Sequence, residues 1–172
     1  MITLQGSTFC LRSWQPGDEA ALVKYGNNLN VSRYLADRFP YPYTLADAEN
    51  WIAFVSKQNP VLTFAIDVDG EAAGGIGLEP RPDERRKTVH IGYWLAEPFW
   101  GRQIVSEATK LVVEYGFATL DIVRIESVVY HPNTASMRVL EKAGFVKEGV
   151  SRKAIFKNGE FYDEHIYGLV AP

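Results

Sequence analysis

The chain has 172 residues, of which 47% are hydrophobic and 23% charged, and its formal net charge is −3. This composition is typical of a globular protein with one sizeable core, so we expect a single domain over residues 1–172. The small acidic excess argues against nucleic acid as the main partner and suits a cationic or amine substrate. Because Cys10 is the only cysteine, an internal disulfide and a cysteine cluster for zinc are both excluded.

The N-terminal sequence MITLQGSTFCLR lacks the charged start and apolar run of a signal peptide, and no apolar segment is long enough to span a bilayer. From these observations we expect a cytoplasmic protein that has no membrane partner. We also expect no bound metal, because His131 and His165 stand alone in the sequence.

The first elements in chain order are a strand and two helical segments. Alternating side chains predict a strand over Thr3–Trp14, and Pro16 and Asp18 then begin a helix that reaches Tyr25. A short helical piece follows at about residues 31–36.

An aromatic loop comes next, with the sequence RFPYPY over residues 38–43. Its two prolines exclude regular structure, and its three aromatic side chains would be costly to expose together. The loop either packs over the core or borders a substrate site, and the residues leave both readings open.

A capped helix and a hairpin follow this loop. Thr44 is a good N-cap for a helix whose inner face carries Ala48, Ile52 and Val55. Strands over 61–68 and 71–78 join at an Asp-Gly turn. The glycines crowded into the second strand indicate a bulge or the close approach of a ligand: Gly74, Gly75 and Gly77.

The second half of the chain alternates strands and helices. A strand over 89–96 leads through a turn into a helix opened by WGRQ at 100–103, and a strand over 123–130 leads into a helix that ends at Gly144. A final hairpin turns at Asn158 and Gly159. This order predicts a mixed α/β (α+β) fold, in which helices flank a largely antiparallel sheet.

A series of short motifs runs through nearly the whole chain: IGYWL, WGR, SEA, RIE and NTASMRVLEKAGF, together with LRSW and FPYPYT near the N-terminus. In their order and spacing the chain resembles the GNAT superfamily of N-acetyltransferases, and in particular its RimJ/RimL-like branch. The resemblance implies the GNAT fold, with acetyl-CoA as co-substrate bound between splayed strands and no metal.

The resemblance also implies which residues form the site. Backbone N–H groups at the start of the helix would cradle the pyrophosphate, and the backbone around Leu95 would hold the thioester and pantetheine. The cofactor-binding residues expected on this basis are Trp94, Leu95, Trp100, Gly101, Arg102, Gln103, Ile104, Val105, Ser106, Asn133 and Ser136. Tyr41 and Tyr43 would border the acceptor substrate.

His90 and Ser136 are the catalytic candidates. His90 lies where many family members carry a glutamate base, and a histidine titrates near neutrality. Many members place a tyrosine acid where this chain has Leu140, which leaves Ser136 or water to protonate the thiolate. His90 could equally be a hydrogen-bonded strand residue, and Asn133 a helix cap.

The chain departs from the family pattern at two positions. The family usually has glycine where this chain has Gln103, and glycine or alanine where it has Val105. A positive φ at Gln103 would be strained by about 1–3 kcal/mol. We instead expect ordinary helical φ there, because Gln103 should lie in the first turn of the helix.

These inferences predict an acetyl-CoA-dependent N-acetyltransferase that acts on a primary amine, either a protein N-terminus or a small molecule, by direct attack in a ternary complex. The alternative is a non-catalytic acyl-CoA-binding module of the same fold, and transfer of a larger acyl group is a third reading. The resemblance also makes a homodimer one expectation for the assembly.

Overall fold

The computed structural model describes residues 2–172 and divides them into two compact units. The first comprises residues 1–77 and 93–111, and the second comprises residues 78–92 and 112–172. The strands are β1 (Thr3–Gln5), β2 (Cys10–Ser13), β3 (Thr63–Val68), β4 (Glu71–Pro80), β5 (Thr88–Leu95), β6 (Arg124–Tyr130), β7 (Val146–Lys157) and β8 (Glu160–Val170). The helices are α1 (Glu19–Gly26), α2 (Leu29–Ser32), α3 (Leu45–Val55), α4 (Ile104–Thr119) and α5 (Thr134–Lys142), with short 3-10 turns at Asp83–Arg85 and Glu97–Phe99.

The eight strands form a sheet in the order β1-β2-β3-β4-β5-β6-β8-β7. Its described pairs are antiparallel except for β5 with β6, which confirms the predicted mixed and mostly antiparallel α/β fold. Among residues 2–172, no helix is long and apolar enough to cross a membrane.

The first unit begins with two strands where the sequence predicted one. β1 and β2 pair antiparallel, with Leu4 opposite Leu11, and the chain reverses through a turn in which the Gly6 N–H donates to the Phe9 carbonyl. The prediction of one strand over Thr3–Trp14 is therefore wrong, because the Gly6 turn interrupts the alternating pattern. The short helix after α1 also begins earlier than predicted, since the Asn28 side chain caps it.

The core of the first unit lies between α1, α3 and the strands β2 to β4. It contains Trp14, Leu22, Tyr43, Ala48, Ile52, Val55, Ala65 and Ala72. At its margin the Arg12 guanidinium is almost buried and bonds both Asp18 and Asp67, at 2.8 and 2.7 Å. The predicted Thr44 cap is confirmed, because Thr44 and Asp47 form a complete capping box at the start of α3.

The glycines of β4 meet another strand. A Cβ added to Gly74 would lie 2.5 Å from the Trp94 carbonyl oxygen, and one added to Gly75 would lie 2.9 Å from the Trp94 indole nitrogen. The predicted bulge is present in the pairing with β3, between Ile66 and Asp67. Close backbone packing therefore accounts for Gly74.

The second unit packs α5 against the strands β6 and β7. Tyr167 is buried, and its hydroxyl donates to the Glu141 carboxylate of α5 at 3.1 Å. α5 ends before Gly144, which has a φ of 91° as predicted for a C-terminal stop. The predicted Asn158-Gly159 hairpin is also confirmed, because both residues have positive φ between β7 and β8.

Candidate active site

An exposed turn precedes α4 in the first unit. The 3-10 turn at Glu97–Phe99 is followed by Gly101 with φ 77° and Gln103 with φ 64°, and α4 begins at Ile104. The first helical hydrogen bond runs from the Glu107 N–H to the Gln103 carbonyl. The amides of Ile104 to Ser106 therefore precede the intrahelical ladder, as helix geometry requires at an N-terminus.

The expectation of ordinary helical φ at Gln103 is wrong. The residue precedes α4 and adopts the left-handed conformation that glycine supplies in the family pattern. The chain thus keeps the backbone course of a glycine turn while carrying a glutamine side chain. Val105, the second departure from the family pattern, lies within the first helical turn, where a β-branched residue fits without positive φ.

Two contacts anchor this turn within its own unit. The Trp100 indole N–H donates to the Leu95 carbonyl at 2.7 Å, although the Trp100 ring is half exposed. The Glu107 carboxylate accepts from the backbone N–H and the hydroxyl of Ser7, at 2.9 and 2.7 Å. Trp100 and Leu95, which were predicted independently as site residues, are thus brought into direct contact.

The sequence analysis missed a cluster beside the same turn. The Glu97 carboxylate accepts from the Asn28 and Asn30 side chains at 2.8 and 3.2 Å, which lowers the pKa of Glu97. Phe99 packs edge-on against Tyr25 and lies beneath the Arg102 guanidinium. No local pattern predicts these contacts, because about 70 residues of chain separate Asn28 from Glu97.

The two predicted substrate residues of the aromatic loop, Tyr41 and Tyr43, differ in burial. Tyr43 is buried in the core, where burial, with a smaller effect of Asp47, raises the pKa of its hydroxyl to about 12. Tyr41 is exposed. Phe39 packs on both Tyr43 and Trp94, with ring centroids 5.0 and 5.3 Å apart, so it joins this loop to β5.

His90 lies in the second unit on the only parallel pair of strands that the structure describes. The register pairs Thr88, Val89 and His90 with residues 124–126, and β5 and β6 both continue beyond the last of these pairs. The Ser127 hydroxyl donates to the Ile91 carbonyl at 2.9 Å just after the pairing ends. A hydrogen bond from a side chain to the backbone thus follows the last described register pair of these two strands.

Asn133 and Ser136 are brought together at the start of α5. The Asn133 side-chain oxygen accepts from the Ser136 backbone N–H at 3.3 Å, so the predicted cap is present. Leu140 lies one helical turn later and is completely buried. Because leucine has no hydroxyl group, this position carries no proton donor.

Glu126 is a second functional candidate that the sequence analysis missed. Its carboxylate is buried in the second unit, bonds Arg85, and accepts from the Arg81 guanidinium at 3.0 Å. Arg124 lies 3.7 Å from it and also bonds Glu148. A glutamate in a strand that also carries Ile125, Val128 and Val129 was the available signal, since a buried charge requires partners.

The two histidines that were expected to stand alone are in fact stacked. The rings of His131 and His165 lie 5.6 Å apart at an angle of 18°. Burial lowers the pKa of His165, and nearby Lys147 and His131 add to that effect against the opposing field of Asp163. Across residues 2–172 no group of three or more His, Cys, Asp or Glu side chains has the arrangement of a metal site.

Comparison with known proteins assigns this fold. The acetyltransferase (GNAT) domain family matches residues 8–146. The chain is 40% identical over 102 residues to the uncharacterized N-acetyltransferase YoaA of Bacillus subtilis, covering 59% of this chain and 57% of YoaA. It is 45% identical over 86 residues to the probable N-acetyltransferase YjcK of the same organism, covering 50% of this chain and 48% of YjcK. The matched region therefore spans about half the length of these two curated relatives.

Solved structures agree over almost the whole chain. RimL, a ribosomal L7/L12 α-N-protein acetyltransferase in complex with coenzyme A, superposes with a TM-score of 0.86 at 22% identity, covering 98% of each chain. The microcin C7 self-immunity acetyltransferase MccE, in complex with acetyl-CoA and AMP, gives a TM-score of 0.83 at 25% identity, covering 96% of this chain and 94% of that one. The family model that matches residues 8–146 assigns an acetyltransferase domain. This chain belongs to the GNAT acetyltransferase family.

Proposed function

We propose that this protein is an acetyl-CoA-dependent N-acetyltransferase of the RimJ/RimL-like branch, which transfers the acetyl group to a primary amine in a ternary complex. The observation that carries the proposal is the turn from Trp100 to Gln103. It exposes Gly101 and presents the N-terminus of a 16-residue helix, where amides and the helix dipole favour phosphate. A Cβ added to Gly101 would meet no atom within 4 Å, so the surface there is open to a ligand.

The residues with proposed roles fall into two groups, one in each unit. In the first, residues 100–106 bind the pyrophosphate, Trp94 and Leu95 bind the pantetheine, and Tyr41 faces the acceptor. In the second, His90 is the base, and Asn133 and Ser136 contact the cofactor near its sulfur. We assign Tyr43 a supporting role, because it is buried in the core.

The bound cofactor supplies a thioester whose carbonyl carbon is the electrophile. The amine nitrogen forms the new bond to that carbon, and the bond from carbon to sulfur breaks. His90 takes the proton that the attacking nitrogen loses, and Ser136 or water returns one to the departing thiolate. His90 must therefore be neutral when the amine attacks.

The acceptor is a protein N-terminus or a small amine. RimL is named as an α-N-protein acetyltransferase of ribosomal L7/L12. A spermidine N(1)-acetyltransferase of Escherichia coli, 26% identical to this chain over 152 residues, is named for a small amine. Both kinds of acceptor therefore occur among similar proteins. We further propose that the protein acts in the cytoplasm and that a homodimer is its assembly, which light scattering would test.

Titration calorimetry with acetyl-CoA, followed by thiol release on a panel of peptides and small amines, tests the proposal. We expect micromolar binding, and release with one acceptor class. Gly101→Ala should weaken binding severalfold because of its positive φ and the added methyl group. Gly159→Ala is the matched control, since Gly159 has the same kind of φ and equally open space in the β7–β8 hairpin. Absence of acetyl-CoA binding by the parent protein would overturn the proposal.

A non-catalytic acyl-CoA-binding module is the second candidate. The buried Leu140 favours it, because the tyrosine acid of many family members has no counterpart there. Tight acetyl-CoA binding without thiol release on any acceptor would support this candidate. Testing longer acyl-CoA donors in the same assay would distinguish transfer of a larger acyl group.

A further inference from the structure

Glu126 is the centre of a charge cluster built entirely within the second unit. Its side chain is only 8% exposed, yet three guanidinium groups approach it, from Arg81, Arg85 and Arg124. Arg85 is itself 59% exposed, so its remaining donors face solvent. The guanidinium groups compensate the charge of the buried carboxylate, and removing them would leave that charge unpaired.

This cluster lies next to His90. Glu126 is the direct register partner of His90 in the parallel pair, and register partners on neighbouring strands point to the same face of a sheet. On the other side of β6, Glu126 faces Gly168 of β8, which has no side chain. The Arg124–Glu148 ion pair fills the space above that glycine.

Charged groups from three strands and from the segment before β5 belong to this part of the second unit. Arg124 and Glu126 belong to β6, Arg81 and Arg85 precede β5, Glu148 belongs to β7, and Glu79 belongs to β4, the other neighbour of β5. A carboxylate favours a cation on a neighbouring imidazole and a guanidinium opposes it, so removing one arginine favours protonation of the imidazole. Arg85 can exert this effect without supporting the core, because its side chain is mostly in water.

We infer that the Glu126 cluster is a positioning and electrostatic partner of His90, in which Arg81 and Arg85 keep the imidazole neutral and Glu126 fixes them beside it. The inference rests on the proposed role of His90 as the base. It assigns to the arginines a function that a purely structural ion pair would not have. Removing one of these cations should make His90 easier to protonate.

The test follows the protonation of His90 directly by NMR. The chain has three histidines, and the resonances missing from His90→Gln identify the relevant ring. In Arg85→Gln we expect the titration midpoint of His90 to rise by about 0.3 pH units at low salt, and the shift to shrink at about 1 M salt. Arg86→Gln is the matched control, because it removes the same charge one residue away, where the side chain bonds only the Asp83 carbonyl among the described contacts.

Two further measurements separate the possible failures. Glu126→Gln should lower the midpoint, since it removes the anion and keeps the arginines, and the acid limb of kcat/KM should follow the midpoint in both variants. Equal midpoints in Arg85→Gln and Arg86→Gln would overturn the inference. If the midpoints move as expected while no acceptor is acetylated, the electrostatic coupling stands and the proposed role of His90 as base fails.

Discussion

The indole N–H of Trp100 donates to the Leu95 carbonyl at 2.7 Å and so joins the end of β5 to the turn that precedes α4. The bond spans five residues and closes the 3-10 turn between them. Under the proposed function, pantetheine and pyrophosphate lie on either side of this bond. Its strength should therefore determine how well the turn is preorganised for the cofactor.

Replacing Trp100 with phenylalanine tests that role. Trp100→Phe keeps an aromatic ring but removes the N–H, and a hydrogen bond of this kind contributes about 1 kcal/mol. We expect acetyl-CoA to bind about fivefold more weakly by calorimetry, and the thermal midpoint to fall by about 2–4 °C because the bond is also lost from the free protein. Trp51→Phe is the control, since its ring packs edge-on against Trp14 in the core and lies outside the proposed site. Equal affinities in the two variants would remove Trp100 from the cofactor site.

The left-handed backbone at Gln103 predicts a stabilising substitution. Gln103→Gly should raise the free energy of unfolding by about 1 kcal/mol, because glycine adopts a φ of 64° without steric cost. Chemical denaturation would measure the change. Gln58→Gly, at a position without positive φ, should not stabilise the protein. A loss of stability in Gln103→Gly would mean that the glutamine side chain contributes more than the strain costs.

The close approach of the Trp94 carbonyl oxygen to Gly74 predicts that a larger residue at position 74 destabilises the protein. In Gly74→Ala the new methyl carbon would lie 2.5 Å from the Trp94 carbonyl oxygen, so backbone must move. We expect a loss of about 2 kcal/mol or more in the free energy of unfolding. Gly149→Ala provides the contrast, since a Cβ there would meet no atom within 4 Å. Similar losses in both variants would refute the steric explanation.

The capping box at α3 predicts a dependence of stability on pH. Hydrogen bonds from the Thr44 hydroxyl and backbone lower the pKa of Asp47 in the folded protein. The carboxylate therefore contributes stability above the ordinary aspartate pKa of about 3.9, and this contribution is lost as pH falls through the lower, folded value. Denaturation of Asp47→Asn at several pH values should show a deficit at neutral pH that narrows below pH of about 4. If the loss of stability in Asp47→Asn does not depend on pH, it comes from the altered hydrogen-bond geometry of the cap and not from the charge of Asp47.

Much of the fold was predictable because its signals are local. The Thr44 cap, the two hairpin turns and the glycine stop after α5 each depend on a few adjacent residues, and all are present. The N-terminal strand was predicted wrongly because the turn at Gly6 depends on pairing between β1 and the returning β2. The backbone conformation of Gln103 was also predicted wrongly, because α4 begins at Ile104, after the WGRQ segment that was expected to open it.

By itself the sequence determined the class of fold, the family resemblance and the residues of the proposed site, since each is recorded in the order of side chains along the chain. Only the tertiary structure decided which of them are in contact. It joined Trp100 to Leu95, buried Tyr43 and left Tyr41 exposed, and made Glu126 the register partner of His90. These relationships depend on strand register and burial, which arise from packing between segments that are distant in sequence.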